Sequence, residues 1–444
     1  MSRSTRTPVE ATSSSRSSAT PVTSSKDSGQ ETLLGPVEID AIAHGGHCVA
    51  RYEGRVIFVR HALPGERVQV QITDDSHDRY WRADAVQILR PSADRVAPPC
   101  PIAGPGLCGG CDFQHVDLTA QRRLKAEVVA EQLRRLAGID WTDVVEPADT
   151  PHSAEGLGWR TRMRYHVDDR GRAGLRAHRS HAVVPLPPTG CLIADRRTPP
   201  VIQHQWSPGS DLIAVAGATQ TALMVDGELI GGDHQLLELA AHRTWTVHPD
   251  TFWQAHPLAA ETLVSAVLDA VVPRRGEGAF DLYCGVGLFA GALLDAGCRV
   301  WGVDANAPAI ELAKNNLIDA GDRVTLRTGR VERTLRRLPR RADLIVLDPP
   351  RTGAGRAVME LVASRAPRAV AYVACDPAAL ARDLGTIGHS GYSVTSIRAF
   401  DLFPMTAQVE CVAIMNRTRV PRRARSADAR VPRRTTSANL PVIS

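Results

Sequence analysis

The sequence predicts an α/β protein whose carboxyl-terminal half is built on a parallel β-sheet, preceded by a small β-barrel and a mixed central domain. A continuous apolar run, residues 369–374, ends on Cys375. A glycine turn at 284–288 follows another buried strand, and Asp348 follows a third. Such runs are typical of parallel strands covered on both faces, whose carboxyl ends carry the ligand in open α/β sheets. We therefore expect the chemistry of the protein at that edge.

Composition and charge indicate a globular protein of several domains. The chain has 444 residues, 43% hydrophobic content, nine cysteines and a net charge of +5. It has neither a transmembrane-length apolar run nor a secretory signal pattern, so we expect a cytoplasmic protein with reduced thiols and no membrane contact. Residues 1–34 and 417–444 are predicted to be disordered. The second tail carries eight arginines between Arg417 and Arg434 and would attract phosphate.

Residues 35–92 are expected to form a barrel of the OB type. Short alternating strands are separated by glycine and proline turns, at the spacing typical of small barrels. The segment resembles a TRAM domain, an RNA-binding barrel attached to several RNA-modifying enzymes. Its arginines could contact phosphates or simply solvate the outer face; they are Arg51, Arg55, Arg60 and Arg67.

Three closely spaced cysteines, Cys100, Cys108 and Cys111, open the central segment. This C-x7-C-x2-C cluster, with its glycines, suits the ligands of zinc or of an iron–sulfur cluster better than core packing. Cys191 is the best candidate for a fourth ligand, because the other cysteines belong to the barrel or to the later α/β pattern. The spacing leaves zinc and an iron–sulfur cluster both open.

The central domain is expected to span residues 93–250 and to mix helix with strands. An amphipathic helix is predicted at 117–138. In a following strand, arginines alternate with apolar side chains, which fits either a basic stripe for nucleic acid or an ordinary solvent-facing side. We favour the solvent-facing interpretation for these three residues: Arg160, Arg162 and Arg164.

Residues 251–416 are expected to form the parallel-sheet domain. The strand at 279–283 leads into a turn with Gly285 and Gly287, and the next strand ends on Asp304. Glycines let a backbone approach its ligand closely, and an acid after the second strand can accept ribose hydroxyls. By itself this pattern also fits a dinucleotide site.

Asp348, followed by Pro349 and Pro350, favours methyl transfer from S-adenosylmethionine. A carboxylate on this rigid corner can position a base or an amine against the methyl group, whereas a nicotinamide site has no evident use for it. Arg351 stands where adenine and guanine N-methyltransferases usually have an aromatic residue. That difference points away from an exocyclic amine as the acceptor.

Cys375 and Glu410 could supply the two groups that methylation of uracil at carbon 5 requires. A thiolate adding to carbon 6 makes carbon 5 nucleophilic, and a base must afterwards remove the carbon 5 proton so that the thiol is expelled. Glu410 begins an apolar run and is the candidate base. A free thiol has a pKa of about 8.5, so Cys375 needs local help, or the arrival of the substrate, to ionise.

Together these blocks resemble the TrmA/RumA family of RNA uracil-5-methyltransferases across residues 35–416. The matching motifs, besides the barrel and the four cysteines, are Phe252-Trp-Gln254, residues 281–287, 348–353 and 373–377, Phe403-Pro404 and Val409-Glu410. The resemblance implies a Rossmann-like class I methyltransferase domain, S-adenosyl-L-methionine as methyl donor, and a uridine in ribosomal or transfer RNA as acceptor. It also implies a base taken out of its stack.

The resemblance further implies individual roles. Cys375 would be the nucleophile and Glu410 the base, and the four cysteines would hold a 4Fe-4S cluster, which favours iron–sulfur over zinc. The helix at 117–138 would pack on the methyltransferase domain. Residues similar to those that hold the methyl donor or the uracil are Gln254, Tyr283, Asp304 and Asp348.

The chain departs from the family pattern at a few places. Asp376 and His256 replace asparagines, Gln408 replaces a histidine, and C-x7-C is longer than the common C-x5-C. Two rival functions remain open: cytosine-5 methylation, which uses the same thiol chemistry, and an inactive iron–sulfur protein that binds RNA. Retention of Cys375 and Glu410 argues against the inactive protein. We expect the protein to act as a monomer.

Overall fold

A computed structural model describes residues 33–148 and 155–418. The predicted disordered tails, 1–34 and 417–444, therefore lie almost entirely outside the described residues. Within the described ranges, no helix is long and apolar enough to cross a membrane.

The predicted amino-terminal barrel is confirmed, because five strands close on themselves in the order β1-β2-β3-β5-β4. These strands are β1 (Leu33–Ala43), β2 (His47–Tyr52), β3 (Arg55–Arg60), β4 (Arg67–Asp74) and β5 (Tyr80–Arg90). Strands β3 and β5 run parallel, whereas the other neighbours are antiparallel. Alternate residues such as Ile57 and Val68 point inward and have no exposed surface, so the barrel has its own core.

Helix α1 (Leu118–Ala137) follows the barrel and corresponds to the predicted amphipathic helix. The carboxylate of Asp117 accepts hydrogen bonds from two backbone N–H groups of the first turn, which starts the helix. The helix ends at Gly138, whose φ of 65° is left-handed and is easily adopted by glycine.

A six-stranded antiparallel sheet forms the centre of the molecule, in the order β12-β11-β10-β7-β8-β9, beside a β13–β14 hairpin. The strands of this part of the chain are β6 (Val145–Pro147), β7 (Arg162–Val167), β8 (Ala173–Arg176), β9 (Val183–Pro185), β10 (Asp211–Ala216), β11 (Thr221–Val225), β12 (Glu228–Gly232), β13 (Leu236–Ala240) and β14 (Arg243–Val247).

An eight-stranded sheet carries the carboxyl-terminal half of the chain, in the order β17-β16-β15-β18-β19-β21-β20-β6. Its helices are α2 (Ala259–Val271), α3 (Leu288–Asp295), α4 (Ala307–Asn316), α5 (Val331–Thr334), α6 (Arg356–Ser364) and α7 (Pro377–Gly388). Its strands are β15 (Gly278–Leu282), β16 (Arg299–Asp304), β17 (Val324–Thr328), β18 (Leu344–Leu347), β19 (Ala369–Ala374), β20 (Tyr392–Asp401) and β21 (Glu410–Arg417). Two 3₁₀ turns lie at Ile318–Arg323 and Leu335–Arg337.

The first five strands of this sheet are parallel, as their apolar runs predict, and β21 is antiparallel to both of its neighbours. The strand order reverses between β15 and β18, which creates a crevice at their carboxyl ends. The short strand β6 comes from the segment before the central sheet and pairs with β20 at the edge. Helices cover both faces of the sheet and close two apolar cores.

Helix α1 lies between the barrel and the large sheet. Leu124 and Val128 belong to the core of the barrel, whereas Val129 and Leu133 belong to a core of the large sheet. The ammonium of Lys125 lies 2.6 Å from the carboxylate of Asp401, and only 1% of either side chain is exposed. Lys125 also donates a hydrogen bond to the Phe403 carbonyl at 3.0 Å. The helix therefore fixes the segment that leads from β20 to β21.

We predict that Lys125→Met lowers the free energy of unfolding by about 3 kcal/mol, because it leaves the Asp401 carboxylate buried without its cation. The matched control is Arg123→Met on the same helix, whose pair with Asp94 is exposed to solvent; its cost should stay below about 1 kcal/mol. Chemical denaturation of both variants measures the difference. Equal, small effects would show that the buried pair does not anchor the helix.

Candidate active site

A cavity of about 670 Å³ opens at the carboxyl edge of the large sheet, beside the crevice between β15 and β18. Seven of the eight residues predicted to bind or react line this cavity: Gln254, Tyr283, Gly285, Asp304, Asp348, Cys375 and Glu410. The eighth, Gly287, precedes α3 and is not among the lining residues. Elements distant in sequence thus bring the predicted groups to one place.

The turn after β15 is tied to the end of β16 by Asp304. One carboxylate oxygen of Asp304 accepts the N–H of Gly285 at 2.9 Å, and the other accepts the N–H of Asn306 at 2.7 Å. Tyr283, with a φ of 66°, and Gly285, with a φ of 51°, both adopt left-handed conformations in this tight turn. The arrangement holds a carboxylate and a glycine backbone at the cavity wall, which suits the ribose of a nucleoside ligand.

Asp281 lies beneath this turn; it begins the matching motif at 281–287, but the motif gave it no role. It has no exposed surface, and one of its oxygens accepts the N–H of Ala290 at 2.7 Å. Its other oxygen has no hydrogen-bond partner within the described ranges. Burial, together with the nearby charges of Asp348 and Asp304, raises the pKa of Asp281 to about 8. The feature of the sequence that could have pointed to Asp281 is its position as an acid within an otherwise apolar strand.

Asp348 follows β18 and faces the same cavity with the two prolines after it. Burial raises the pKa of its carboxyl to about 7, and the charge of Asp304 acts in the same direction. Near neutral pH Asp348 therefore exists in both protonation states, so it can accept or donate a hydrogen bond.

Cys375 and Glu410 come together because β19 and β21 are antiparallel neighbours, with Ala374 opposite Cys411. Burial raises the pKa of the Cys375 thiol to about 11, and the negative charge of Glu410 adds to the shift. Glu410 is only 4% exposed, and burial followed by the charge of Asp348 raises its pKa well above the usual range. An ionised Glu410 therefore opposes ionisation of the Cys375 thiol.

Arg351 is the cation that opposes this effect. Its guanidinium lowers the pKa of Cys375 both by its charge and by a hydrogen bond to the thiol, and it also lowers the pKa of Glu410. Arg351 lines the cavity beside both residues. In the sequence, Arg351 belongs to the matching motif at 348–353 and differs from the aromatic residue of amine methyltransferases, but no catalytic role was predicted for it. Its position indicates that it favours the thiolate.

The solvent-facing interpretation of the arginines in the central strand is wrong for two of them. Arg160 lines the cavity. Arg162 donates hydrogen bonds from one nitrogen to the carbonyls of His248, Pro249 and Thr251, at 2.9, 3.2 and 2.9 Å. It therefore fixes the segment immediately before the Phe-Trp-Gln motif. Only Arg164 is exposed.

The barrel arginines also differ from one another. Arg60 is 6% exposed and lies 3.4 Å from the carboxylate of Asp112, so it cannot present its charge to phosphate. Arg55 stacks 4.3 Å above the ring of Trp81, and Arg51 is exposed. The residues differ because only alternate strand positions face outward.

The four cysteines Cys100, Cys108, Cys111 and Cys191 line one small cavity, and none forms a disulfide. Burial raises the pKa of Cys108 to about 11 and that of Cys111 to about 12, and in both cases the charge of Cys191 adds to the shift. The N–H of Gly110 points to the Cys108 sulfur at 3.4 Å. Across residues 33–148 and 155–418, no group of three or more Cys, His, Asp or Glu side chains could hold a metal ion. The structure thus brings the four predicted cysteines together around one small cavity.

The residues at which the chain departs from the resemblance occupy three different environments. His256 is 1% exposed, and burial lowers its pKa to about 4. Gln408 lines the cavity. Asp376 caps helix α7 by accepting the N–H of Ala379 at 2.7 Å. None of the three replaces the nucleophile or base candidate.

Comparison with known proteins finds relatives that are RNA methyltransferases. The sequence model of a family described as tRNA (uracil-5-)-methyltransferase matches residues 209–418, and that of the TRAM domain matches residues 35–86. An uncharacterized RNA methyltransferase of Streptomyces coelicolor is 48% identical over 423 residues, which cover 85% of this chain and 92% of the relative. The 23S rRNA (uracil(1939)-C(5))-methyltransferase RlmD of Shewanella sp. is 29% identical over 85% of this chain and 94% of its own length.

A solved structure shares the fold. It is the Pyrococcus abyssi tRNA (uracil-54, C5)-methyltransferase in complex with S-adenosyl-L-homocysteine, with a TM-score of 0.64 and 21% identity. The match covers 86% of this chain and 99% of that protein. The class I methyltransferase fold predicted for the carboxyl-terminal half is thereby confirmed.

We predict that Arg351→Gln slows alkylation of Cys375 by iodoacetamide about tenfold at pH 8, because loss of a neighbouring cation raises a thiol pKa by about one unit or more. In the wild-type protein the rate of Cys375 alkylation should rise with pH between 7 and 9, since only the thiolate reacts and the pKa of Cys375 lies near 11. Peptide mass spectrometry isolates the rate at Cys375, and Arg164→Gln is the exposed control. An unchanged rate in Arg351→Gln would contradict the assigned contact.

Proposed function

The chain belongs to the TrmA/RumA family of S-adenosylmethionine-dependent RNA uracil-5-methyltransferases, and we propose that it methylates a uridine of ribosomal or transfer RNA through a covalent adduct on Cys375. The observation that carries this proposal is the convergence of Cys375, Glu410 and Arg351 in the same cavity as the glycine turn and Asp304. One cavity can then hold both the methyl donor and a uracil taken out of its stack.

The thiolate of Cys375 adds to carbon 6 of the uracil, and the electron pair moves to the ring as an enolate. Carbon 5 then attacks the methyl group of the donor, a carbon–carbon bond forms, and S-adenosylhomocysteine departs. Arg351 assists the first step because it favours the thiolate over the thiol. The guanidinium of Arg351 would also stabilise the negative charge that develops on the ring.

Glu410 removes the proton from carbon 5 after methyl transfer. The electrons of the broken carbon–hydrogen bond restore the ring double bond, the bond between carbon 6 and sulfur breaks, and Cys375 returns as a thiolate. The raised pKa of Glu410 supports this role, since a carboxylate with a high pKa is a stronger base once ionised. The positive sulfonium of the bound donor and Arg351 both favour that ionised form.

The remaining residues of the cavity would hold the donor and the uracil. Asp304 offers a carboxylate to the ribose hydroxyls, and Gly285 lets the backbone approach the ligand. Asp348, with a pKa near 7, can donate a hydrogen bond to a uracil carbonyl or accept one from an amine. We assign Gln254 and Tyr283 to the same binding surface because both line the cavity, and Gly287 to the packing of the turn.

The RNA would be bound by the barrel together with the cavity rim. The Shewanella relative is named for 23S rRNA and the Pyrococcus protein for tRNA, which supports a structured RNA acceptor of one of these classes. We propose that one copy of the chain suffices, because all the proposed catalytic groups come from one protomer. We place the enzyme in the cytoplasm, where both RNA classes are found.

We propose further that the four convergent cysteines hold a 4Fe-4S cluster. Among the described residues, no group of three or more side chains is arranged to hold a single metal ion. A 4Fe-4S cluster does not need such an arrangement, because each cysteine would bind a different iron. The convergence of four unpaired thiols and the N–H group aimed at Cys108 fit such a cluster. Its role would be structural, joining the loop at Cys100–Cys111 to the segment at Cys191.

Nucleoside mass spectrometry tests the proposed reaction. We expect 5-methyluridine to disappear from either ribosomal or transfer RNA when the gene is deleted, and to return with the wild-type gene but not with Cys375→Ala. Loss of 5-methylcytidine instead would establish the cytosine rival. Unchanged levels of both nucleosides would overturn the proposal.

We predict that Glu410→Gln forms the methylated Cys375 adduct but does not release it, because no group removes the carbon 5 proton. An RNA–protein complex stable in denaturing gels should accumulate with natural uridine RNA, whereas the wild type should show it only with 5-fluorouridine RNA. Cys375→Ala should show it with neither. Normal turnover by Glu410→Gln would exclude Glu410 as the base.

We predict that protein purified without oxygen contains about four irons and four acid-labile sulfides per chain. Cys108→Ala and Cys191→Ala should lose the iron and the sulfide. They should also lose the visible absorbance band that is typical of thiolate-to-iron charge transfer. The control Cys298→Ala, which removes a buried cysteine directly before β16, should keep all three. One zinc per chain without sulfide would disprove the cluster.

A further inference from the structure

The turn between β1 and β2 extends from the barrel to the catalytic domain. His44, in this turn, places its Nε2 3.0 Å from a carboxylate oxygen of Asp376. The other oxygen of Asp376 accepts the N–H of Ala379 and so caps α7. Asp376 immediately follows Cys375, so the barrel contacts the chain one residue beyond the proposed nucleophile.

The same turn also contacts the segment that leads to Glu410. A Cβ atom on Gly46 would lie 2.7 Å from the Cβ of Ala407 and 3.0 Å from that of Asp112, so a hydrogen is all that fits there. Asp112 in turn accepts the N–H of Ala407 at 3.0 Å. Ala407 lies three residues before the proposed base.

The barrel is attached to the rest of the protein by further contacts besides these. The barrel core continues into α1 through buried residues such as Leu124 and Val128. Helix α1 is then joined to the large sheet by the buried pair of Lys125 and Asp401. The barrel would therefore remain attached without the β1–β2 turn, and the turn is free to have another role.

We propose that the β1–β2 turn, through His44 and Gly46, positions Cys375 and Glu410 relative to each other for methyl transfer. The proposal rests on the proposed function of those two residues. It assigns to the RNA-binding barrel a part in the catalytic step, beyond holding the substrate. His44 acts through Asp376, and Gly46 acts through Ala407, so both are positioning residues and neither touches the uracil.

The reaction needs such positioning because the thiol must reach one ring carbon while the base reaches the proton on the next. Displacement of reacting groups by about 1 Å can cost about 100-fold in rate. Cys375 lies in the short loop between β19 and α7, and Glu410 begins β21 directly after the loop that follows β20. A contact that touches both loops at once restricts their relative movement.

The first test compares two glycines of the same barrel. Gly46 has a φ of 79° and Gly54 has a φ of 81°, so alanine carries the same backbone cost at both positions, but Gly54 has open space around it. We expect Gly46→Ala to lower kcat about tenfold with the KM for RNA changed less than about twofold. Gly54→Ala should keep the wild-type kcat. A KM effect alone, or equal kcat in both variants, would overturn the proposal.

The second test removes the histidine contact and restores it. His44→Ala should lower kcat about fivefold and slow adduct formation on 5-fluorouridine RNA in a single turnover. His44→Gln keeps a donor and should recover most of the rate. The control His77→Ala removes a solvent-exposed histidine that pairs with Asp74 at the connection between β4 and β5, and it should leave kcat unchanged. Equal rates in His44→Ala and the wild type would refute the role of His44.

The two proposals fail in distinguishable ways. If wild-type protein makes no 5-methyluridine, the proposed function fails and the turn has no reaction to position. If wild-type protein is active and the variants of the turn change only RNA binding, the function stands and the positioning role falls. Thermal unfolding of each variant shows whether a lost rate reflects a lost fold.

Discussion

The antiparallel pairing of β19 with β21 is the constraint on which the site depends. It sets the last residue of one strand beside the first residues of the other, and so places Cys375 next to Glu410 at the sheet edge. Without β21 the sheet would still offer a crevice for a nucleoside, because β15, β16 and β18 supply the glycine turn, Asp304 and Asp348. Because β21 lies beside β19, the same edge of the sheet also carries a thiol and a candidate base.

This pairing has an electrostatic cost. The acids Asp281, Asp348 and Glu410 and the thiol of Cys375 share one partly dry region, and burial raises the pKa of each. The charge of Asp348 raises the pKa of Asp281, Cys375 and Glu410, and the charge of Glu410 raises that of Cys375. Arg351 opposes this within the protein, and a donor with a positive sulfonium would oppose it further. Cys375 is therefore mostly a thiol near neutral pH, and in the proposed reaction binding of the donor and the RNA would shift it towards the thiolate.

Residues that follow strand ends could be predicted from the sequence, because apolar periodicity locates strands and parallel strands share one edge. Cys375, Asp348 and Asp304 were found in this way, and the barrel was found from its turns. Contacts between distant segments could not be predicted, since no local pattern records them. Four such contacts join residues that are far apart in the chain. They are the buried pair of Arg60 with Asp112, the hydrogen bonds of Arg162 to the segment at 248–251, the pairing of β6 with β20, and the contact of His44 with Asp376.

The most direct test of the account is release of tritium from RNA labelled at carbon 5 of uridine. Methylation at that carbon must replace its hydrogen, so we predict one tritium released to water for each methyl group transferred, with no release from Cys375→Ala. Methyl transfer without tritium release would contradict the account, because the acceptor would then be a nitrogen, a ribose oxygen or another base.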